Sequence, residues 1–574
     1  MPRLHAHVTG TGGAVAAVAV HGEVAVEPSA DRVRDARESV EPATRRRARL
    51  LAAALIACSV LVPLALFTWR ALHAPINFDG GMNLQVAESI VRGDGYSRFY
   101  DEELLFPHEV QTNGPFMYVA VLAIEVLGTT QLAYQLANLV FVAGLLAVVA
   151  FVLRRESLAV RVAGPGLVLL AAPMVSVYGL GGLGEVPMTF FILCAVAGLV
   201  EAVRTPRQAP WWVLGASVAY GAALATKTFA LGAAGALAVG GLCVLVAAPT
   251  RRLRWQALLA AGGVALLPVA RELHRLVSIG SLGGYRGWWS SQSDSISFQS
   301  GLDSGSESNS PVRTFLDHMH ILSGYVDFPA ELLLVLVFGP LALVAALVAW
   351  RWRRHGLRGA LGDPALVLVL TVGALAASYI LWWMFIVPDN KAWIRRIMPG
   401  LLALHLLYLL LVPWLVRLGR AVWGRAERAG SSGLARFTLA GALLAVVVLA
   451  VPYLSIRYFY TTGDLVAAEQ EWLDANRDAA AYIKANADQR YFGDEWWSAP
   501  VVSLMSHTGF YNLGDADFCS LDADRDRLVW DRYAMTIRSQ DPWDREGQLT
   551  YDAVASFGSD VVIYAVGPAP GTCG

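Results

Sequence analysis

Charge is scarce in this sequence, and lysine is almost missing. Charged residues make up 16% of the 574 residues, and the only lysines are Lys227, Lys391 and Lys484. Hydrophobic residues reach 56%, and the mean hydropathy is +0.48. An ordinary soluble domain has about 25% charged residues. The composition therefore excludes a soluble enzyme of ordinary make-up and predicts an integral membrane protein.

The sequence also has few groups that would hold a metal ion. Its 11 histidines are dispersed, and the one close pair is His318 and His320. A spacing of two residues puts the side chains on different faces of a helix, although an extended segment would allow joint ligation. Ordinary interfacial histidines are the simpler interpretation. We predict no metal site and no cofactor, and an aspartate-bound divalent cation stays open.

Cysteine is equally sparse, with five in the chain. Cys58, Cys194 and Cys243 lie in apolar runs, where they are expected to be small packing residues. Cys519 and Cys573 lie in a C-terminal segment that we expect outside the membrane, where a disulfide is permitted. Two cysteines say nothing of their separation in space, so this pairing stays open.

What the sequence has in abundance is apolar runs near the length that crosses a hydrocarbon core, about 20 residues each. In lipid each backbone polar group must be satisfied within its own segment, so each run is predicted to be a helix. The fold class is mainly α: a polytopic transmembrane bundle of about 11 spans with a small C-terminal α/β domain. The predicted spans are 50–69, 131–153, 162–178, 187–203, 211–225, 229–248, 255–270, 332–350, 365–387, 397–416 and 437–453.

Arginine-rich segments indicate the orientation, because short loops rich in Lys and Arg stay on the cytoplasmic side. They all fall on one side if the segment 113–128 does not cross the membrane. This segment opens at Pro115, is short, and is predicted to be a re-entrant or interfacial helix on the outer face. The arginine-rich segments are 45–49, 154–155, 204–207, 251–254, 351–358 and 417–436.

This orientation predicts a multi-pass plasma membrane protein with a cytoplasmic N-terminus. Residues 1–48 are expected to be a disordered cytoplasmic arm, and 49–459 the transmembrane domain. Residues 460–574 form an extracytoplasmic α/β domain, with a helix at 465–486 and strands at 490–493 and 561–566. The remaining outer regions are the loops 71–130, 179–186, 271–331 and 388–395.

Asp79 lies just past the first predicted span, in the sequence Asn-Phe-Asp-Gly-Gly-Met-Asn at 77–83. One interpretation makes it the cap of a solvated helix N-terminus. The other makes it a general base at the membrane boundary. Caps are common and catalytic carboxylates rare, so this residue alone leaves the two interpretations balanced.

The context of Asp79 resembles a known family. An amphipathic stretch follows it, then Gly-Asp-Gly-Tyr at 93–96, Thr-Asn-Gly-Pro-Phe-Met-Tyr at 112–118, and a span closed by Arg-Arg. Two later segments fit: Gly-Gly-Leu-Gly-Glu-Val-Pro at 181–187 and Lys-Ala-Trp-Ile-Arg-Arg-Ile-Met-Pro at 391–399. The layout over roughly residues 50–455 resembles the GT-C glycosyltransferases. It is most similar to the branch with the protein mannosyltransferases and the lipid A aminoarabinose transferase, although Asn-Gly-Pro-Phe at 113–116 departs from that branch's Pro-Pro-Leu-Tyr.

The resemblance implies an inverting glycosyltransferase. Such an enzyme moves a sugar from a polyprenyl-phosphate carrier to a hydroxyl acceptor (a glycan, lipid or protein) on the outer face, as a hexosyl- or pentosyltransferase. Asp79 would be the base. Cations would stabilise the departing phosphate. The candidates are Lys227, Lys391, Arg395 and Arg396, for which snorkelling to lipid headgroups is the alternative.

Four further residues are weaker candidates. Glu185 would hold the acceptor or orient a basic group, or it is simply solvated in its Gly-rich turn. Glu88 is out of phase with Asp79 on a helix and is at best a supporting residue. Trp496 and Trp497 offer an aromatic surface for a sugar, or they fill the core of the small domain.

Two other functions compete with sugar transfer. A polytopic lipid or glycan transporter or flippase also has many spans, but it usually shows internal repeats and broken helices at matching positions, which we do not find in this sequence. A lipid-diphosphate glycan ligase or polymerase differs in its donor, which the sequence does not name.

Overall fold

The computed structural model describes most of the chain. The described residues are 30–73, 76, 78–98, 105–107, 110, 112–170, 182, 184–300, 310–326, 329–387, 394–429, 470–493, 498–513, 516–531, 547–558 and 561–573. The chain divides into two compact units, Met1–Leu55 and Ile56–Gly574. In the first unit every described residue is helical.

Long helices dominate the described part of the chain up to residue 429. In chain order they are α1 (Ala30–His73), α2 (Phe78–Arg92), α3 (Pro115–Leu127), α4 (Gln131–Val152), α5 (Leu158–Leu170), α6 (Glu185–Arg204), α7 (Ala209–Thr226), α8 (Ala234–Ala247), α9 (Arg251–Ala261), α10 (Leu266–Ile279), α11 (Leu282–Ser300), α12 (Pro311–Val326), α13 (Ala330–Leu361), α14 (Pro364–Phe385) and α15 (Met398–Ala429). Short 3₁₀ turns at Thr228–Ala233 and Ile394–Ile397 precede α8 and α15.

The helix starts follow local sequence signals. The side chains of Thr130 and Thr250 accept the backbone N–H three residues ahead at 3.2 and 3.3 Å, which caps α4 and α9. Asp363 accepts the N–H of Ala365 at 3.0 Å, and Pro364 opens α14. Side-chain oxygens at the N-cap and a proline at the first position satisfy or remove N–H groups that a helix leaves unpaired.

Eight helical segments in the described residues are long and apolar enough to cross a membrane. They agree with eight of the eleven predicted spans, and the chain is a multi-pass membrane protein. These segments are Arg46–Trp69, Leu132–Val152, Glu185–Arg204, Thr228–Ala247, Arg251–Ile279, Ala330–Leu361, Pro364–Phe385 and Arg395–Arg417.

The other three predicted spans have different outcomes. The span at 211–225 is helix α7, which has 18 residues but is not among the eight apolar segments. The span at 162–178 is described only to residue 170, as α5, and the span at 437–453 lies outside the described residues. The segment 113–128 contains α3, a 13-residue apolar helix. At about 1.5 Å per residue α3 is too short to cross, as the sequence predicts.

Two regions that the sequence predicts to be a disordered arm and a loop contain helices. Helix α1 begins at Ala30, so residues 30–48 of the expected disordered arm are helical. This stretch is rich in Ala, Glu and Arg, which are strong helix formers. The predicted outer loop at 271–331 contains the end of α10 and helices α11 and α12.

Helix α6 lies at the centre of the bundle, because 83% of the residues in its most apolar stretch are buried. It packs on α4, α7, α8 and α14. At Gly198 a Cβ atom would lie only 3.0 Å from the Cβ of Ala216 on α7. Small residues let helix backbones approach closely in membrane bundles, so this glycine fixes the tight α6–α7 pair.

The C-terminal domain is a small α/β unit, as predicted. It has helices α16 (470–485) and α17 (Ser498–Ser506). Its strands are β1 (Arg490–Gly493), β2 (Tyr511–Asn512), β3 (Asp526–Asp531), β4 (Leu549–Phe557) and β5 (Val561–Pro568). The sheet order is β2-β1-β3-β5-β4, parallel from β2 to β3 and antiparallel from β3 to β4.

The sequence-predicted strands at 490–493 and 561–566 are confirmed as β1 and β5. Cys519 and Cys573 form the disulfide that the sequence left open, and it ties the C-terminal end of the chain to the loop before β3. Cys58, Cys194 and Cys243 are free.

Candidate functional site

Asp79 lies in the first turn of α2, where the helix dipole favours a carboxylate. Arg395 lies in the 3₁₀ turn that leads into α15. The Arg395 guanidinium donates to Asp79 Oδ2 in an ion pair. Both side chains are partly buried, with 18% of Asp79 and 19% of Arg395 exposed. Two predicted site residues that are 316 positions apart in sequence are thus brought into direct contact.

A second ion pair joins Glu185 and Lys227. Glu185 opens α6, and Lys227 follows the last residue of α7 as its C-cap. Lys227 Nζ lies 2.6 Å from Glu185 Oε1, and both side chains are nearly inaccessible to solvent. The other carboxylate oxygen, Oε2, is buried and accepts no hydrogen bond from the described residues. Glu185 therefore has one oxygen bound and one unused.

Arg396 connects the two pairs electrostatically. It is buried, and its guanidinium carbon lies 5.3 Å from the ring centroid of Phe229 in the Thr228–Ala233 turn. Arg396 interacts electrostatically with Arg395 of the first pair and with Glu185 of the second pair. Arg395 also interacts electrostatically with Glu185. We call Asp79, Glu185, Lys227, Arg395 and Arg396 the charged cluster. With all five groups ionised its cations outnumber its carboxylates.

Glycine lets the starts of α2 and α6 come together. Asn83 Nδ2 donates to the carbonyl of Gly182 at 2.9 Å. Gly182 has φ +82°, and a Cβ there would lie 2.9 Å from the Cα of Gly80. A Cβ on Gly184 would lie 2.6 Å from Thr112 Cγ2. These close backbone approaches require glycine and explain why a Gly-rich turn precedes Glu185.

The segment before α3 packs against the end of α7. The N–H of Asn113 donates to the carbonyl of Thr226 at 2.9 Å. Gly114 has φ +59°, and a Cβ there would lie 2.8 Å from the carbonyl oxygen of Ala225. The departure from the family's Pro-Pro pattern therefore occurs where the chain contacts the turn that carries Lys227.

Tyr96 fixes this segment from the other side. Its hydroxyl oxygen lies 2.6 Å from Asn113 Oδ1 and 3.1 Å from the carbonyl oxygen of Thr112, and its single proton is shared between these two acceptors. Burial raises the pKa of the Tyr96 hydroxyl well above its usual range. The phenol therefore stays protonated at any physiological pH and remains a donor.

Sequence reasoning missed an arginine cluster on α10. Arg271 donates to Glu272 at 2.8 Å and to the carbonyl of Ala225 at 3.2 Å. Arg275 binds both oxygens of Glu272 at 2.9 and 2.7 Å and lies 3.6 Å over the ring of Trp288. The sequence held a signal: Arg271 and Arg275 follow the predicted span 255–270 on the side that the sequence predicts to be the outer one, against the positive-inside bias. This cluster braces the end of α7 that carries Lys227.

Glu88 does not join the charged cluster. It is buried and contacts Arg92 at 2.6 Å, the hydroxyl of Tyr134 at 3.2 Å and Nδ1 of His507 at 3.1 Å. His507 follows α17, so Glu88 is a contact between α2 and the C-terminal domain. Gln85 lies on the same side of α2 and donates to the carbonyl of Pro500 at 2.9 Å. Lys391, Trp496 and Trp497 lie outside the described residues.

Among groups of His, Cys, Asp and Glu in the described residues, none with three or more members is placed to hold a metal ion. His318 stacks on Trp383 with ring centroids 4.5 Å apart. The chemistry that the charged cluster itself supports is anion binding, because guanidinium and ammonium groups pair with phosphate or carboxylate oxygens.

Comparison with solved structures identifies the fold. ArnT from Cupriavidus metallidurans bound to undecaprenyl phosphate matches with a TM-score of 0.53 and 16% identity, over 92% of this chain and 98% of that chain. ArnT from the same organism in the apo state gives a TM-score of 0.51 and 17% identity, over 91% and 99%. No family model matches this chain, and no curated protein matches it. The chain shares the fold of these ArnT structures, which is the fold that the sequence resemblance predicts.

Proposed function

We propose that this chain is an inverting glycosyltransferase that moves a sugar from a polyprenyl-phosphate carrier to a hydroxyl acceptor on the outer face of the membrane. The observation that carries the proposal is the charged cluster, in which two carboxylates and three cations meet at the ends of helices in a GT-C fold. The similar ArnT structure holds undecaprenyl phosphate, which supports a lipid phosphate as the carrier.

Asp79 acts as the general base in this proposal. The acceptor hydroxyl oxygen attacks the anomeric carbon, and the bond between that carbon and the phosphate oxygen breaks. The hydroxyl proton passes to the Asp79 carboxylate, and the carrier phosphate leaves with the bonding electron pair. Positioned general bases contribute about 10²- to 10⁴-fold to rate. The ion pair with Arg395 holds the Asp79 carboxylate in a fixed direction.

The cations of the charged cluster stabilise the leaving phosphate. Negative charge grows on the phosphate oxygen as the glycosidic bond breaks, and preorganised cations lower the energy of that state. Arg395 and Arg396 supply guanidinium groups that bind phosphate oxygens in pairs, and Lys227 supplies a point charge. Lys391 is proposed for the same role from its position in the sequence.

Glu185 acts through Lys227 in this proposal. The 2.6 Å contact holds the ammonium group at the end of α7. The unused Oε2 is available to the acceptor or to a second cation when substrate is bound. Glu185 is therefore a positioning residue, and Glu88, which contacts the C-terminal domain, supports α2.

The proposed orientation places the charged cluster and the C-terminal domain outside the cytoplasm. Arginine-rich segments lie at the opposite ends of the spans, as the positive-inside rule requires of cytoplasmic loops. The disulfide of the C-terminal domain is compatible with an oxidising compartment. The transferred group is a hexosyl or pentosyl unit, and the acceptor is a glycan, lipid or protein of the cell envelope.

The test is sugar transfer by purified protein in liposomes, with a panel of radiolabelled polyprenyl-phosphate sugars. We expect wild type to turn over one donor and Asp79→Asn to lose about 10²- to 10⁴-fold in rate. Asp94→Asn is the matched control, because Asp94 is an exposed carboxylate just beyond α2. Absence of turnover with every donor, or full activity in folded Asp79→Asn, refutes the proposal. A transporter would move labelled lipid across the bilayer without forming a product.

A further inference from the structure

Two 3₁₀ turns hold the cations of the charged cluster, and helix α14 contacts both of them. The turn Thr228–Ala233 begins directly after Lys227, which is its N-cap. The turn Ile394–Ile397 contains Arg395 and Arg396. The relative position of the two turns therefore sets the distance between the ammonium group and the two guanidinium groups.

Tyr379 is the residue through which α14 holds the turn Thr228–Ala233. Its side chain is fully buried, and its hydroxyl donates to the carbonyl of Phe229 at 2.8 Å. A Cβ atom added at Gly232 would lie 2.9 Å from two ring carbons of Tyr379. The backbone of the turn therefore packs directly against the ring, and this close approach requires glycine at residue 232.

Tyr379 also contacts the helix that follows the two arginines. Gly400 lies four residues after Arg396, in the first turn of α15. A Cβ atom added at Gly400 would lie 2.6 Å from the Cβ of Tyr379. Small residues let membrane helices approach closely in this way. Tyr379 thus touches both segments that carry the cations, and it meets each of them at a glycine.

Phe229 links Tyr379 to Arg396. The carbonyl of Phe229 accepts the hydrogen bond from Tyr379, and its ring centroid lies 5.3 Å from the guanidinium carbon of Arg396. This distance is within the range of a cation–π interaction. The ring of Phe229 also packs beside Trp382 of α14, with centroids 5.9 Å apart. The position of Arg396 therefore depends on Tyr379 through the ring of Phe229.

We propose that Tyr379 is a positioning residue for the carrier phosphate. It fixes how far Lys227 lies from the two arginines of the charged cluster before the substrate binds. Cations that are already in place stabilise a developing anion better than cations that must move. The hydroxyl of Tyr379 is engaged by Phe229, so the residue acts through its neighbours and not on the phosphate. This inference rests on the proposed function, because it assigns the charged cluster to the phosphate of the carrier.

Binding of undecaprenyl phosphate to the delipidated full-length protein tests the proposal, because binding needs no sugar transfer. Native mass spectrometry in detergent measures the affinity. Tyr379→Phe keeps the ring between the two glycines and removes the hydrogen bond to Phe229. We expect it to weaken binding by about tenfold, as for a weakened charge-assisted hydrogen bond.

Tyr408→Phe is the matched control. Tyr408 is also buried and donates to a backbone carbonyl, that of Leu336. It lies about 15 Å along α15 from the start of the helix at Met398. Each variant leaves one buried carbonyl without its donor, so both should lower the melting temperature by similar amounts. Only Tyr379→Phe should weaken lipid binding, and equal affinities in the two variants would overturn the proposal.

A double-mutant cycle separates positioning from a loss of stability. Arg396→Gln removes the guanidinium group that the ring of Phe229 contacts. If Tyr379 acts through Arg396, Tyr379→Phe should weaken binding much less in the Arg396→Gln background than in wild type. Losses of affinity that simply add would contradict the positioning role.

The outcomes for this inference differ from those for the proposed function. If wild type transfers sugar but Tyr379→Phe binds undecaprenyl phosphate as Tyr408→Phe does, only the positioning role is wrong. If Tyr379→Phe alone weakens lipid binding but wild type turns over no donor, sugar transfer is wrong and the positioning role stands. If wild type does not bind undecaprenyl phosphate, the positioning role is refuted.

Discussion

The two ends of helix α6 carry buried glutamates in opposite chemical situations. Glu201, in the last turn, binds Arg204 at 2.5 Å through Oε1 and Arg154 at 2.7 Å through Oε2. Glu185, in the first turn, binds Lys227 through one oxygen and leaves the other unused. A buried carboxylate with both oxygens paired is complete as a structural element. A buried carboxylate that has one oxygen without a hydrogen bond, and that lies beside an excess of cations, can still bind a ligand.

The surroundings of the two glutamates reinforce this difference. Arg154 also donates to the carbonyl of Phe151 at 2.8 Å and lies 3.7 Å over its ring, so it is fully engaged in local structure. At the other end Arg395 pairs with Asp79 from a different helix while acting on Glu185. Contacts such as Arg154–Glu201 hold neighbouring helices together. Contacts such as Arg395–Asp79 instead bring together, around a site, chain segments that are far apart in sequence.

Replacing Lys227 gives the largest expected effect at the first-turn end. Lys227→Met leaves the buried Glu185 carboxylate without its cation, and breaking a buried pair in this way costs about 3–5 kcal/mol. Denaturant titration in detergent measures the loss. In Glu185→Leu/Lys227→Met both charges are gone, so stability should largely recover while transfer stays abolished. A double variant that transfers sugar at the wild-type rate would contradict a role for this pair in the reaction.

Replacing Glu201 sharpens the comparison at the other end. Glu201→Gln removes the charge that two arginines bind and should cost about 1–3 kcal/mol of unfolding free energy. The folded fraction should transfer sugar at the wild-type rate, because the change lies at the far end of α6. The free energy of unfolding and the rate of sugar transfer are measured on the same liposome preparation, and the rate is divided by the amount of folded protein. A fall in the rate per folded molecule would mean that the two ends are coupled.

The smallest effect concerns Glu156, between α4 and α5. Burial raises the pKa of this carboxyl in the folded state, and Arg204 and Arg417 only partly oppose it. The unfolded chain then loses its proton first as pH rises, so rising pH lowers the stability of wild type. Glu156→Gln should be more stable at pH 7 by a few tenths of a kcal/mol, since the group is partly exposed. The difference in unfolding free energy between Glu156→Gln and wild type should vanish as pH falls below the pKa of this carboxyl in the unfolded chain. A difference that stays constant with pH would contradict the raised pKa of Glu156 as its cause.

Much of the fold could be predicted from sequence because the bilayer imposes strong rules. Eight predicted spans match apolar helices, since length and hydropathy alone decide whether a helix can cross. Strands β1 and β5 were also predicted, because short β-branched and aromatic runs bounded by turn residues are distinctive. The segment 271–331, predicted to be an outer loop, was not recognised as helical, and in α11 the high Gly and Ser content hides the helix.

The candidate site was predicted in part. Asp79, Glu185, Lys227, Arg395 and Arg396 were selected from residue type, position and family resemblance, and the structure brings them together. The pairing itself could not be predicted, because sequence gives no distance between residues on different helices. For the same reason Arg271 and Arg275 were missed as a brace for α7, and Glu88 was not recognised as a domain contact.

The sequence by itself determined that the chain spans a membrane many times and which polar residues lie near the ends of its spans. These properties depend on composition and local periodicity, which need no knowledge of distant contacts. Only the tertiary structure decided which carboxylate meets which cation, that one oxygen of Glu185 stays open, and that Cys519 joins Cys573. Such contacts depend on how helices and strands pack, and packing is a property of the whole chain.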